Sequence, residues 1–144
     1  MISLGKQLFD SMERNNSLCA IKIGSRHISY DELNGKALAI AGFLSENGVI
    51  NKNVGIITQR NFSAYAGILG AIYGGCTYVP INTKYPKEKI VNIINDADIQ
   101  VLISSEHDWN SIKDKIGNID KLEFLLFPNG INNYQGDINI IVNS

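Results

Sequence analysis

The sequence has no excess of positive charge. Its 144 residues carry 13 Lys and Arg against 14 Asp and Glu, a formal net charge of −1. No cluster of Lys and Arg is longer than two residues. Nucleic acids and acidic membrane surfaces are normally met by a basic stripe, so neither is expected as a partner. Cysteine is equally scarce. Cys19 and Cys76 lie far apart and form no CxxC pattern, so neither a disulfide framework nor a dithiol or zinc motif is indicated. Two reduced, partly buried thiols in a cytoplasmic protein are expected. No apolar run reaches the ~18 residues of a membrane helix. Met1 is followed by a polar–apolar helical pattern, without the basic start and apolar core of a signal peptide. His27 and His107 each lack a second His or Cys two to five residues away, and a metal site needs three or four converging ligands. There is no GxSxG elbow and no HExxH.

What is present is the pattern of one globular domain. The chain is 44% hydrophobic and 19% charged, ordinary values for such a domain. Residues 3–14 place Leu4, Leu8 and Met12 four apart and read as a short amphipathic helix. LCAIKI (18–23) and RHISY (26–30) are β-rich runs separated by Gly24-Ser25, a hairpin signal. Ser29 and Glu32 form a capping box, and the helix it opens carries Leu33, Ala37, Ile40, Ala41 and Leu44 on one face, with Gly48 as its stop. NVGIIT (53–58) is a continuous apolar run, typical of a strand buried on both faces. Asn61 is placed to cap a helix that is apolar nearly all round, in which Gly67 and Gly70 would let another element approach closely.

Further on, TYVPI (77–81) reads as a strand, with Tyr78 to Ile81 in the core and Pro80 marking an edge, a bulge or a strand end. Pro86 suits the first position of a helix bearing Ile90, Ile94 and Ala97. IQVLIS (99–104) and LEFLLF (122–127) are strands, and SIKDKIG (111–117) is a short helix capped by Asp108 or Ser111. After Phe127 an Asn- and Gly-rich loop leads into the apolar run INIIV. The alternation from residue 53 onward predicts an α/β fold: an open, largely parallel sheet flanked by helices on both faces, with an N-terminal β-hairpin. Ligands of such sheets bind beyond the carboxyl ends of the strands.

Four segments merit a chemical reading. Gly70, Gly74 and Gly75 suggest a phosphate loop, but their spacing fits neither GxGxxG nor the Walker pattern. They also follow a helix and precede a strand, the reverse of a phosphate loop, so a helix cap with close packing is expected. Thr58-Gln59-Arg60-Asn61 lies correctly, after a strand and at a helix start, yet lacks glycine. An Asn-capped helix is expected there, with an unrelated flavodoxin-like nucleotide binder as the competing reading. Asp96 and Asp98 could form a carboxylate pair, but a helix-to-strand turn accounts for them. Ser63 and Ser104-Ser105 have no nearby base signal. The residues by themselves therefore define a fold and no active site: no catalytic, cofactor-binding or metal-binding residue is expected.

Two segments carry a family resemblance. ISYDEL (28–33) resembles the first signature motif of the adenylate-forming ligases, the superfamily of nonribosomal peptide synthetase adenylation domains, D-alanine-activating ligases and acyl-CoA synthetases. GAIYGGCTYVPIN (70–82) resembles the second, and YPKEKIVNIINDADIQVLI (85–103) is similar to the segment after it. The resemblance implies a parent enzyme that joins a carboxylate to ATP, with Mg²⁺, as an acyl-adenylate. The acyl group then passes to a thiol of a carrier protein or CoA. It also implies that residues 1–144 are a partial adenylation domain, its first subdomain. The phosphate loop, acyl pocket and C-terminal domain would lie beyond Ser144, INIIVNS (138–144) ending where the strand before the phosphate loop would begin.

Both signature segments are structural in the family, so no residue here inherits a catalytic role. The chain alone is then expected to be inactive and to bind neither ATP nor Mg²⁺. Tyr78, Val79 and Pro80 with Tyr85-Pro86 point to amino-acid activators. Asn82 departs from the Asp common in that branch and is frequent in acyl-CoA synthetases, and Thr83 replaces a usual Pro. If Met1 is the native start, no condensation domain precedes this region, which suits a free-standing ligase or an initiating module. Expected partners are the rest of the adenylation domain, a carrier protein and a small accessory protein. A non-catalytic scaffold or interaction domain is the alternative from another class.

Overall fold

The computed structural model describes residues 5–7, 9–10, 19–23, 26–58, 61–116, 119, 121–129 and 139–142. Residues 5–7 and 9–10 are helical, and the ring of Phe9 meets that of Tyr73 edge-on with centroids 6.1 Å apart. The rest of the helix expected over 3–14 lies outside the described residues, as does the Gly24-Ser25 turn. The strands flanking that turn, β1 (Cys19–Ile23) and β2 (Arg26–Ser29), pair antiparallel.

Strand β2 ends at Ser29 because Ser29 is also the cap of helix α1 (Tyr30–Glu46). Its hydroxyl accepts the Glu32 N–H at 3.1 Å, satisfying one of the four orphan donors of a helix start. Gly48, at φ +72°, follows the other end, a left-handed position that glycine occupies without Cβ strain. The buried stripe is Leu33, Ala37, Ile40 and Leu44, as the spacing predicts, with Ala41 only half-buried. Asn34 is buried as well, and its Oδ1 accepts the Tyr73 hydroxyl at 2.7 Å.

Five strands form the main sheet: β3 (Asn53–Ile57), β4 (Thr77–Ile81), β5 (Val101–Ile103), β6 (Phe124–Phe127) and β7 (Asn139–Val142). Their order is β4-β3-β5-β6-β7. The first four are parallel, and β7 runs antiparallel to β6. The connections are α2 (Phe62–Tyr73), α3 (Lys87–Asp96) and α4 (Glu106–Ile116). Strand alternation divides the core in two. Val54, Ile56, Val101, Ile103 and Leu126 pack on α1 and α2. Ile57, Ile81 and Leu102 pack on α3 and α4. The expected open, largely parallel sheet between helices is what the described residues form, with an antiparallel pair of strands, β1 and β2, where the N-terminal hairpin is expected.

Glycine sets the spacing of the first layer. A Cβ at Gly67 would lie 2.9 Å from Ile103 Cγ2, and one at Gly70 would lie 2.6 Å from Ile40 Cγ2. Gly67 therefore lets α2 onto the sheet, and Gly70 lets α1 onto α2. Ser63, in the first turn of α2, is fully buried and its Oγ has no hydrogen-bond partner. Burying an unpartnered hydroxyl costs about 1–3 kcal/mol. Ser63→Ala is therefore expected to raise the thermal midpoint, read by circular dichroism; a lowered midpoint would show that the hydroxyl is partnered after all.

Three local expectations are corrected. Tyr78 to Ile81 is not a core strand: β4 is the edge strand, Tyr78 and Pro80 are exposed, and only Ile81 is buried. Pro80 does mark an edge. Pro86 caps α3 from outside (φ −58°, ψ 154°) and does not occupy its first turn, and Ala97 is the C-cap at the other end. Helix α4 starts at Glu106, well before residue 111, so Asp108 and Ser111 lie inside it. Ser105 performs the capping, its Oγ accepting the Asp108 N–H at 3.1 Å. The stretch EHDWN has too few apolar residues for its helical period to show in sequence.

Candidate functional site at the carboxyl edge of the sheet

Strand β3 leads through α2 to β4 on one side, whereas β5 leads through α4 to β6 on the other. The chain thus leaves the carboxyl ends of two adjacent strands in opposite directions. Such a switch point is where open α/β sheets bind their ligands. Here it is bounded by Thr58 and Asn61 after β3, and by Ser104, Ser105 and Asp108 after β5.

Each of these polar groups is turned to an internal partner. The N–H and hydroxyl of Thr58 both bond Ile81 O, at 2.9 and 3.3 Å. Ser104 N–H bonds Leu126 O at 3.0 Å, and its hydroxyl bonds Ser105 O at 2.8 Å. Asn61 does two things at once. Its Oδ1 accepts the Ala64 N–H at 3.0 Å, capping α2, while its Nδ2 donates to Asp108 Oδ2 at 2.8 Å. Asp108 is 6% exposed. The cap of α2 and the first turn of α4, helices on opposite faces of the sheet, are therefore joined by one part-buried hydrogen bond across the switch point. Sequence reasoning found Asn61 as a cap but missed Asp108 as its partner. A contact spanning 47 residues leaves no local signal.

This brace does not fit a phosphate. The turn before α2 has no glycine for close backbone approach, and the Ala64 N–H is already taken by Asn61. Nor do the described residues gather a metal: no group of three or more His, Cys, Asp and Glu is found among them. His27 and His107 are both exposed, on β2 and in the first turn of α4. Gly74 and Gly75 end α2 at the amino edge of the sheet, Gly74 as C-cap and Gly75 at φ +73°. Gly70 is covered by Ile40. Gly74 and Gly75 thus cap the helix, and Gly70 serves its packing, as expected.

The amino edge carries a groove of about 540 Å³ between Asn51, Asn53, Asp98, Gln100, Lys121 and Glu123. Its groups also bind one another: Asn53 Nδ2 donates to Ala97 O at 2.9 Å, and Lys121 Nζ meets Asp98 Oδ1 at 2.6 Å. The Lys121 and Asp98 side chains are 49% and 79% exposed, so the pair contributes at most about 1 kcal/mol. Asp98 takes φ +51° in the turn from α3 to β5, which is the helix-to-strand turn expected for Asp96 and Asp98. Cys76 is a free, half-buried thiol whose Sγ lies 3.2 Å from Val49 O. No helix among the described residues is long and apolar enough to cross a membrane.

Residues 8–128 match the model of the AMP-binding enzyme family. This chain belongs to that family. It is 36% identical over 101 residues to bacitracin synthase 1 of Bacillus licheniformis, covering 69% of this chain and 2% of that protein. It is 35% identical over 104 residues to gramicidin S synthase 1 of Brevibacillus brevis, covering 70% of this chain and 9% of that one. Tyrocidine synthase 3 of Brevibacillus parabrevis is 31% identical over 99 residues, covering 68% of this chain and 2% of its own length. The chain thus spans a small part of the relatives it matches.

In fold this chain is similar to the nonribosomal peptide synthetase FmoA3 bound to α-methyl-L-serine-AMP, with a TM-score of 0.78 at 21% identity, covering 89% of this chain and 14% of that one. It is also similar to a benzoate CoA ligase from Burkholderia xenovorans, with a TM-score of 0.69 at 20% identity, covering 78% of this chain and 23% of that one. These two likenesses establish the shared fold. The segments ISYDEL and GAIYGGCTYVPIN can now be placed in the AMP-binding fold: the first is the cap and first turn of α1, the second the end of α2 with the edge strand β4.

Proposed function

We propose that residues 1–144 are the first subdomain of an adenylation domain that activates an amino acid with ATP and Mg²⁺ as its aminoacyl-adenylate, for transfer to a carrier-protein thiol. In this reading the chain supplies architecture, and the phosphate loop, acyl pocket and C-terminal domain lie in polypeptide beyond it. The observation that carries it is the family match over 8–128, joined to a switch point at which the polar groups of the described residues Asn61, Ser104 and Asp108 are bonded internally. The amino-acid branch is supported by the peptide synthetases among the relatives. Asn82 does not count against that branch. Its Oδ1 accepts the Lys84 N–H at 2.9 Å in a tight turn, which an Asp oxygen at the same position would accept equally. The rest of the adenylation domain, a carrier protein and a small accessory protein are the partners this reading names.

The test is amino-acid-dependent ATP–pyrophosphate exchange. Purified residues 1–144 should give none with any of the twenty amino acids or with benzoate. The same residues continued by the remainder of an adenylation domain should give exchange with an amino acid. Exchange from the 144-residue chain alone would refute the architectural reading, and exchange by the longer chain with aryl or fatty acids only would move it to the CoA-ligase branch. A non-catalytic scaffold would give exchange with neither.

A further inference from the structure

Among the described residues the edge strand β4 pairs with β3 alone, which leaves its outer side open. Thr77 N–H bonds Lys52 O at 3.0 Å, and Thr58 N–H bonds Ile81 O at 2.9 Å. With the parallel register Thr77 to Asn53 and Ile81 to Ile57, Thr77, Val79 and Ile81 direct their N–H and C=O groups at β3. Tyr78 and Pro80 direct theirs outward. Tyr78 is 40% exposed, and Thr77 and Pro80 are exposed with it. A strand edge of this kind is a template for pairing with another chain.

The proline sits where its missing N–H costs the sheet nothing. Its ring occupies the outer edge, and no bond to β3 is lost. At either neighbouring position, Val79 or Ile81, a proline would delete a ladder bond. We infer that Pro80 blocks pairing between the β4 edges of two copies of this chain. In a two-fold antiparallel pair, residue 78 of each copy would face residue 80 of the other, each couple exchanging two backbone bonds. With proline at 80, each couple keeps one, and the rings hold the strands apart. The second copy is the occupant the geometry fits, since the outward residues 78 and 80 are related to themselves by a two-fold axis through Val79.

The experiment is sedimentation velocity of residues 1–144 against Pro80→Val over a concentration series, at matched folded fraction by circular dichroism. Restoring the N–H with a strand-forming side chain should tighten self-association by ~tenfold or more. Adding Tyr78→Lys to that variant should reverse the gain by putting a charge on the edge. Should the valine variant fail to fold, Pro80→Ala restores the same N–H and decides the matter. Self-association unchanged from the wild type, whatever the wild-type level, would overturn the inference. So would a gain that Tyr78→Lys does not reverse, because the contact would then lie elsewhere.

Discussion

Gly70→Ala is expected to destabilise the chain by about 2–3 kcal/mol, the cost of forcing extra volume into a packed core. The added Cβ would lie 2.6 Å from Ile40 Cγ2, 2.7 Å from Ile40 Cβ and 3.1 Å from Ala37 O. Rotating the Ile40 side chain relieves only the first of these contacts. The other two involve a Cβ and a backbone oxygen, so α1 and α2 must move apart. Alanine's better helix propensity returns about 1 kcal/mol, which is too little to change the sign. Gly42→Ala is the control. Gly42 lies on α1 with nothing within 4 Å of a Cβ, so there the same substitution should stabilise by about 0.5–1 kcal/mol. Urea midpoints of the two variants should move in opposite directions. A common direction would mean that helix propensity, and not the α1–α2 approach, decides both.

Asn61→Ala should cost about 2–4 kcal/mol, the sum of a lost helix cap and a buried acceptor left without its donor. One side chain serves the Ala64 N–H at 3.0 Å and Asp108 Oδ2 at 2.8 Å. Asp108→Asn keeps an oxygen to accept from Asn61 and should cost less than about 1 kcal/mol. Asp108→Ala removes the acceptor. If the brace is real, Asn61→Ala and Asp108→Ala are non-additive, with a coupling of about 1–2 kcal/mol in a double-mutant cycle. Additive effects would mean that the α2 cap and the first turn of α4 act independently and that the bond across the switch point contributes nothing.

These two sites show what the residues reveal on their own and what they do not. The glycines of α2 announced a close approach, because a buried helix interrupted by glycine needs a packing reason. That the approach was to Ile40, 30 positions earlier in the chain, needed the fold. The β3 run was legible because continuous apolar sequence is what two-sided burial requires, and Val54 to Ile57 are all buried. The β4 run was misread as core because TYVPI has the same apolar look. Its place at the edge follows from strand order, which no local pattern encodes. Helix α4 was half missed because its first turn, Glu106 to Trp109, is polar on most sides. The family was legible from two short segments, and the comparisons agree on it. The Asn61–Asp108 bond was not legible, because two ordinary polar residues far apart in sequence carry no mark of their pairing.

The central claim is that this chain provides architecture for an adenylate-forming enzyme and does not itself hold the nucleotide. Titration of ATP into the ¹⁵N-labelled 144-residue chain, with Mg²⁺ present, tests it most directly. The account predicts no saturable change in amide shifts at Thr58, Asn61, Ser104 or Ser105. Saturable shifts centred on those residues, abolished by Asn61→Ala in a variant shown to remain folded, would contradict it.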